Sequence, residues 1–106
     1  WGIIGFMKTV AMELGPFNVR ANTICSGCVE GERIEGVMAR EAALKGTTRD
    51  TIFDAYAGGT SMRCFVSPED VANMAVFLAS EGARRVSGQV ISVDGHTENP
   101  DPKVGD

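Results

Sequence analysis

Cysteine, histidine and positive charge are all scarce in this sequence, and each scarcity narrows what the chain can be. Its 106 residues include three cysteines at uneven spacing, an odd number that does not make a disulfide framework. A reducing, cytoplasmic setting is the simpler expectation. Lysine and arginine number 10 against 14 acidic residues, a net charge of −4, so nothing supports a nucleic-acid or anionic-membrane partner, which would call for a basic patch. No apolar run approaches the roughly 20 residues needed to span a bilayer as a helix. What remains is the ordinary composition of a globular protein, 43% hydrophobic and 23% charged, at a length compatible with one domain.

A different kind of absence lies at the start. Trp1, Ile4, Met7, Ala11 and Leu14 recur at helical spacing, with Ile3, Phe6 and Val10 widening the apolar stripe. No Ser, Thr, Asp or Asn stands before them as an N-cap. The expectation is that the chain opens inside a helix whose upstream neighbours belong to a longer protein. Gly15-Pro16 should end that helix, with Gly15 in the left-handed position.

Val19 to Cys25 then reads as a short strand closed by Ser26-Gly27, made less apolar than a core strand by Arg20 and Asn22. From Glu30 to Gly59 the pattern becomes short helices separated by glycine. Ile34, Val37, Met38 and Ala42 share one side of a segment ending at Lys45-Gly46. Thr47, with Asp50 three residues on, predicts a capping box for a second helix carrying Ile52, Phe53 and Tyr56. Weak amphipathicity and flanking flexible residues suit a mobile flap better than a rigid core.

Ser67-Pro68-Glu69-Asp70 supplies an N-cap, a first-turn Pro and two acids at the positive end of a helix dipole. Val71, Met74, Ala75 and Leu78 form its apolar face, and it should stop near Glu81-Gly82. Gly88 to Val93 predicts a second strand finished by Asp94-Gly95. Residues 96–106 hold two prolines and an acidic excess, and are expected to be extended or disordered. Strands joined through a packed helix are normally parallel with a right-handed crossover. Parallel sheets need both faces covered and are rarely two strands wide, so the order of elements describes one edge of a larger doubly wound α/β sheet.

These segments together resemble the short-chain dehydrogenase/reductase family. The resemblance is carried by Gly2-Ile3-Ile4-Gly5-Phe6-Met7-Lys8, Ala11-Met12-Glu13-Leu14, Asn18-Val19-Arg20-Ala21-Asn22 and Ser26-Gly27-Cys28-Val29. Further along it rests on Ser67-Pro68-Glu69-Asp70-Val71-Ala72, Phe77-Leu78-Ala79-Ser80 and Ser87 to Gly95. It implies that residues 1–95 are the C-terminal part of a single Rossmann-like domain: two parallel strands with flanking helices and a helical substrate flap at about 30–65. It places the family's Tyr-x-x-x-Lys immediately before Trp1, with the catalytic Ser and the diphosphate loop further upstream. No catalytic residue is therefore assigned to this chain, and turnover from these residues alone is not expected.

The resemblance further implies an NAD- or NADP-dependent oxidoreductase that interconverts a small-molecule alcohol and a carbonyl, assembled as a homo-oligomer, a dimer or a tetramer. Ser26, Gly27, Cys28 and Val29 match the family's Pro-Gly-x-Val loop, whose backbone lies along the nicotinamide, so these four are the expected cofactor-binding residues. A small residue such as Gly27 lets backbone approach a ligand, and parallel strands bind ligands at their carboxyl ends. Ser26 replaces the usual Pro, Gly31 stands where many relatives carry a cofactor-contacting Thr, and His96 replaces the second glycine of an Asp-Gly-Gly ending.

A competing reading makes Cys25 and Cys28 a thiol-redox pair, or a zinc site completed by Cys64 and His96. No second C-x-x-C supports it, and no metal ligand is assigned. Asn22 is expected to satisfy neighbouring backbone, Asp94 to shape the turn at Gly95, and His96 to be a solvated surface residue. Tyr56 could touch substrate or pack within its helix. Glu30 and Glu32 could meet a polar substrate group, although solvated charge is the simpler role.

Overall fold

The computed structural model describes residues 1–97, and within them the chain divides into two compact units. Trp1–Cys25 with Glu69–Val93 form the first, and Ser26–Pro68 with the segment from Asp94 onward form the second.

The first unit opens with helix α1, Gly2–Leu14, followed by a 3-10 turn over Gly15–Phe17. Gly15 stays right-handed, contrary to expectation, because Pro16 sits comfortably in the first positions of that extra turn. Asn18 takes the left-handed conformation instead, at φ 60°. Strand β1 is Thr23–Ser26 and strand β2 is Val90–Val93, paired in a parallel two-stranded sheet. Both are shorter than the periodicity suggests; ahead of them a backbone bond from the Gly88 N–H to Ala21 O, at 2.7 Å, is supplemented by side-chain links. Asn22 donates to Val86 O at 2.9 Å and accepts from the Gln89 N–H at 3.1 Å, while the Ala21 N–H donates to Ser87 Oγ at 3.2 Å. Asn22 thus satisfies backbone, as expected of a polar residue there.

Helix α4, Pro68–Ala79, runs into a 3-10 turn at Glu81–Ala83. Leu78, Ala83 and Ala21 are the buried apolar residues of this unit. On α1 no residue is fully buried: Ile4, Met7, Val10 and Ala11 are half-covered, whereas Trp1, Ile3, Phe6 and Met12 are exposed.

The second unit contains helix α2, Glu32–Lys45, and helix α3, Arg49–Gly58. Gly46 closes α2 in the left-handed conformation, and the Thr47 N–H turns back to Ala42 O at 2.9 Å. Because Thr47 is used in ending α2, the cap of α3 falls one residue later than expected, on Thr48, whose Oγ1 accepts from the Thr51 N–H at 3.2 Å. Met38, Ala42, Ile52, Ala57 and Phe65 form a buried cluster, with Met38 and Ile52 at 0% exposure. The Phe53 and Phe65 rings lie 4.6 Å apart, centroid to centroid.

The stretch read from sequence as a flap with little core of its own therefore holds the larger hydrophobic core of the described residues. Polar links join α2 to α3 as well. The Tyr56 hydroxyl donates to Glu41 at 2.7 Å and the Arg49 guanidinium pairs with Glu35, while Lys45, donating to the Glu41 carboxylate at 2.8 Å, reinforces α2 itself. Tyr56 accordingly joins two helices.

The residues after Phe65 and Gly95 complete this unit. Val29 and Val66 form a parallel bridge, and Thr60 and Thr97 an antiparallel one. His96 and Thr97 are thus hydrogen-bonded rather than loose, with Ser61 N–H donating to His96 O at 2.8 Å. The rest of the tail expected to be extended or disordered lies outside the described residues.

Candidate functional site

The candidate site is the loop that leaves the carboxyl end of β1. It begins at Ser26, which is exposed, and continues through Gly27, Cys28 and Val29, each half-buried. Gly27 is required for an intramolecular reason: a β-carbon there would lie 2.8 Å from Asp94 Cβ and 3.1 Å from Asp94 Cα. Its smallness, expected for the approach of a ligand, is already demanded by packing against Asp94. Asp94 in turn holds its own bend, its Oδ1 accepting from the His96 N–H at 2.8 Å, as expected of a turn-shaping residue.

The bridge to Val66 determines which backbone groups of the loop are spent. The Val66 N–H donates to Cys28 O at 2.9 Å, and the Glu30 N–H donates to Val66 O at 2.8 Å. In a parallel bridge of this form the residue between those two partners turns its own N–H and C=O the other way. Val29 therefore presents a main-chain donor and acceptor on the side away from Val66, and among the described residues neither is taken up by a hydrogen bond. A donor and an acceptor on one residue suit a planar amide, which offers the complementary pair.

A pocket of about 540 Å³ opens beside this loop, lined by Ser26 to Gly31 and the beginning of α2 as far as Val37. That volume falls in the range of small-molecule sites. Gly31 forms its corner at φ 152°, a backbone conformation that side-chain-bearing residues rarely adopt, and caps α2 without a side-chain hydrogen bond. Glu30 and Glu32 are exposed at the mouth.

Cys28 packs against the core cluster, and burial pushes its thiol above the ordinary value, which disfavours thiolate chemistry. Cys25, Cys28 and Cys64 are free thiols, and among the described residues no three of His, Cys, Asp and Glu gather into a metal-binding group. His96 is exposed and its Nδ1 lies against Ser61 Oγ. Val66 and Asp94, which shape the loop from 37 and 67 residues beyond Val29 and Gly27, escaped sequence reasoning because no local pattern announces such a distant pairing.

A parallel sheet flanked by helices, with a glycine-containing loop presenting main-chain groups at a strand's carboxyl end, defines a Rossmann-type α/β protein. Comparison with known proteins sharpens this. The family model described as enoyl-(acyl carrier protein) reductase matches residues 1–96. The chain is 33% identical to D-beta-hydroxybutyrate dehydrogenase of Rhizobium meliloti over 89% of its own length and 37% of that protein's. It is 37% identical to the 3-oxoacyl-[acyl-carrier-protein] reductase FabG of Aquifex aeolicus, across 89% of this chain and 34% of the relative. Among solved structures, L-sorbose reductase from Gluconobacter frateurii, complexed with NADPH and L-sorbose, superimposes with a TM-score of 0.82 at 29% identity, covering 91% of this chain and 37% of that one. The chain belongs to the short-chain dehydrogenase/reductase family and spans 34–37% of the length of these three proteins.

Proposed function

We propose that this chain supplies the nicotinamide-side loop and the substrate flap of an NAD- or NADP-dependent oxidoreductase that interconverts a small alcohol and a carbonyl. The observation that carries the reading is the outward-facing N–H and C=O of Val29, a main-chain pair complementary to a carboxamide. The bound nicotinamide supplies or accepts the hydride. The chain's own residues bind and orient: Val29 holds the carboxamide through its main chain, Ser26, Gly27 and Cys28 set the course of the loop, and the helices from Glu30 to Phe65 cover the substrate. Both units belong, in this reading, to one Rossmann-like domain over residues 1–95.

No residue of this chain is assigned to proton transfer, so these residues alone should not turn over substrate. The protein works in the cytoplasm on a small molecule, as a homo-oligomer, without a nucleic-acid or membrane partner. The exposed Ile3, Phe6 and Met12 of α1 provide apolar surface for assembly or for the remainder of the domain.

The test is a chimera in which residues 1–96 replace the matching segment of the Aquifex aeolicus reductase. Nicotinamide absorbance should report carbonyl reduction by the chimera and none by this chain alone. Turnover by the chain alone, or a folded chimera that binds no nicotinamide nucleotide, would overturn the proposal.

A further inference from the structure

Within the first unit, a notch of about 200 Å³ collects a charge that the chain as a whole lacks. Arg20, Arg84 and Arg85 line it, together with Asn18, Ser87 and the small Ala11. No carboxylate lines it, although the chain carries a net charge of −4. Arg20 donates weakly to Val86 O at 3.4 Å, and Arg84 makes a long, exposed pair with Glu81 at 3.6 Å. Among the described residues neither Arg20 nor Arg85 has an acidic partner. Ser87 adds a neutral donor, because its Oγ accepts from the Ala21 N–H at 3.2 Å and the hydroxyl proton remains to be given. Lys8, anchored on Gly88 O at 2.8 Å, brings a further positive charge to the adjoining backbone.

We propose that this notch binds a phosphate group carried by a small soluble anion. Three arginines, two of them without an acidic partner among the described residues, and a hydroxyl suit the several oxygens of a phosphate dianion better than the single charge of a carboxylate. The volume lies below the range of pockets that enclose whole drug-sized ligands, so the notch takes one charged group rather than an entire nucleotide. Its concave form favours a discrete anion over a flat lipid surface. None of its lining residues belongs to the loop at Ser26–Val29, and the proposal does not depend on the function proposed for that loop.

The test is a titration of the full chain with inorganic phosphate at low salt, followed by backbone amide shifts, with acetate as the singly charged control. Saturable shifts are expected at Ser87 and Arg85, with phosphate binding more tightly than acetate. The Arg84→Gln/Arg85→Gln variant should weaken phosphate binding by about tenfold or more. Both arginines are exposed, so the variant should keep its far-ultraviolet circular dichroism, which is checked alongside. Absence of shifts at those amides, equal binding of acetate, or unchanged affinity in the double variant would overturn the proposal. So would arginine-dependent binding of phosphatidylglycerol vesicles without any response to phosphate.

Discussion

A β-carbon on Gly27 would sit 2.8 Å from the β-carbon of Asp94, well inside the 3.5–4.0 Å at which carbon atoms attract. The loop at the end of β1 is therefore set against the turn that follows β2 by main-chain closeness. Gly27→Ala should cost about 1–3 kcal/mol through overpacking, read as a lower urea midpoint with an unchanged slope. Asp94→Gly removes the atom that the new methyl meets, so the double variant should lose less than the sum of the two single ones. Strict additivity would mean that the two residues do not meet as described.

The second unit should unfold when its own cluster is cut. Ile52 is fully buried between α2 and α3, and Ile52→Ala should cost about 2–5 kcal/mol. Leu44, exposed on the same helix pair, serves as the control: Leu44→Ala should change stability by less than about 0.5 kcal/mol. Equal effects from the two substitutions would show that residues 26–68 do not build the core described.

Acid should loosen the same helix pair. Hydrogen bonds from Lys45 and then Tyr56 hold the Glu41 carboxyl below its ordinary value, and Arg49 does the same for Glu35. A carboxylate with a depressed folded pKa stabilises the fold above its unfolded pKa, near 4.3, and that contribution is lost as pH falls through the folded value. Stability should therefore decline below about pH 4.3, and Glu41→Gln should flatten part of that decline. Tyr56→Phe should cost about 1 kcal/mol at neutral pH, where Glu41 is charged, and less in acid. A pH-independent effect of Tyr56→Phe would exclude the Glu41 partnership.

Local signals in the sequence carried the elements well and their partnerships poorly. Ser67-Pro68-Glu69-Asp70 announced α4, and Lys45-Gly46 announced the end of α2, because caps and helix stops are written within a few residues. Thr47 was the wrong cap by one residue because the termination of α2 competes for it, an overlap that periodicity does not register. The loop Ser26–Val29 was legible through resemblance, whereas what shapes it was not. Val66 and Asp94 are distant in sequence, and a two-residue apolar step such as Phe65-Val66 carries no strand signal. The packed character of residues 30–65 was also hidden, since Met38 and Ile52 become core only when two weakly amphipathic helices face each other.

The two valines of the bridge offer the sharpest separation of fold from function. Val66 uses its N–H to reach Cys28 O, so Val66→Pro removes a hydrogen bond of the fold and should cost about 3 kcal/mol or more. Val29 spends neither of its main-chain groups on that bridge, so Val29→Pro leaves the Cys28–Val66–Glu30 ladder intact. The extended backbone that proline demands of the residue before it is the one a bridge already requires of Cys28. On the proposed function, Val29→Pro in the chimera should keep the unfolding free energy within about 1 kcal/mol of the parent while weakening nicotinamide nucleotide binding by tenfold or more, the loss of a main-chain donor to the carboxamide. Fluorescence titration with reduced cofactor measures the second quantity and urea denaturation the first. A Val29→Pro chimera that binds cofactor as well as its parent would remove the carboxamide contact from the loop, even if the family fold around it stands.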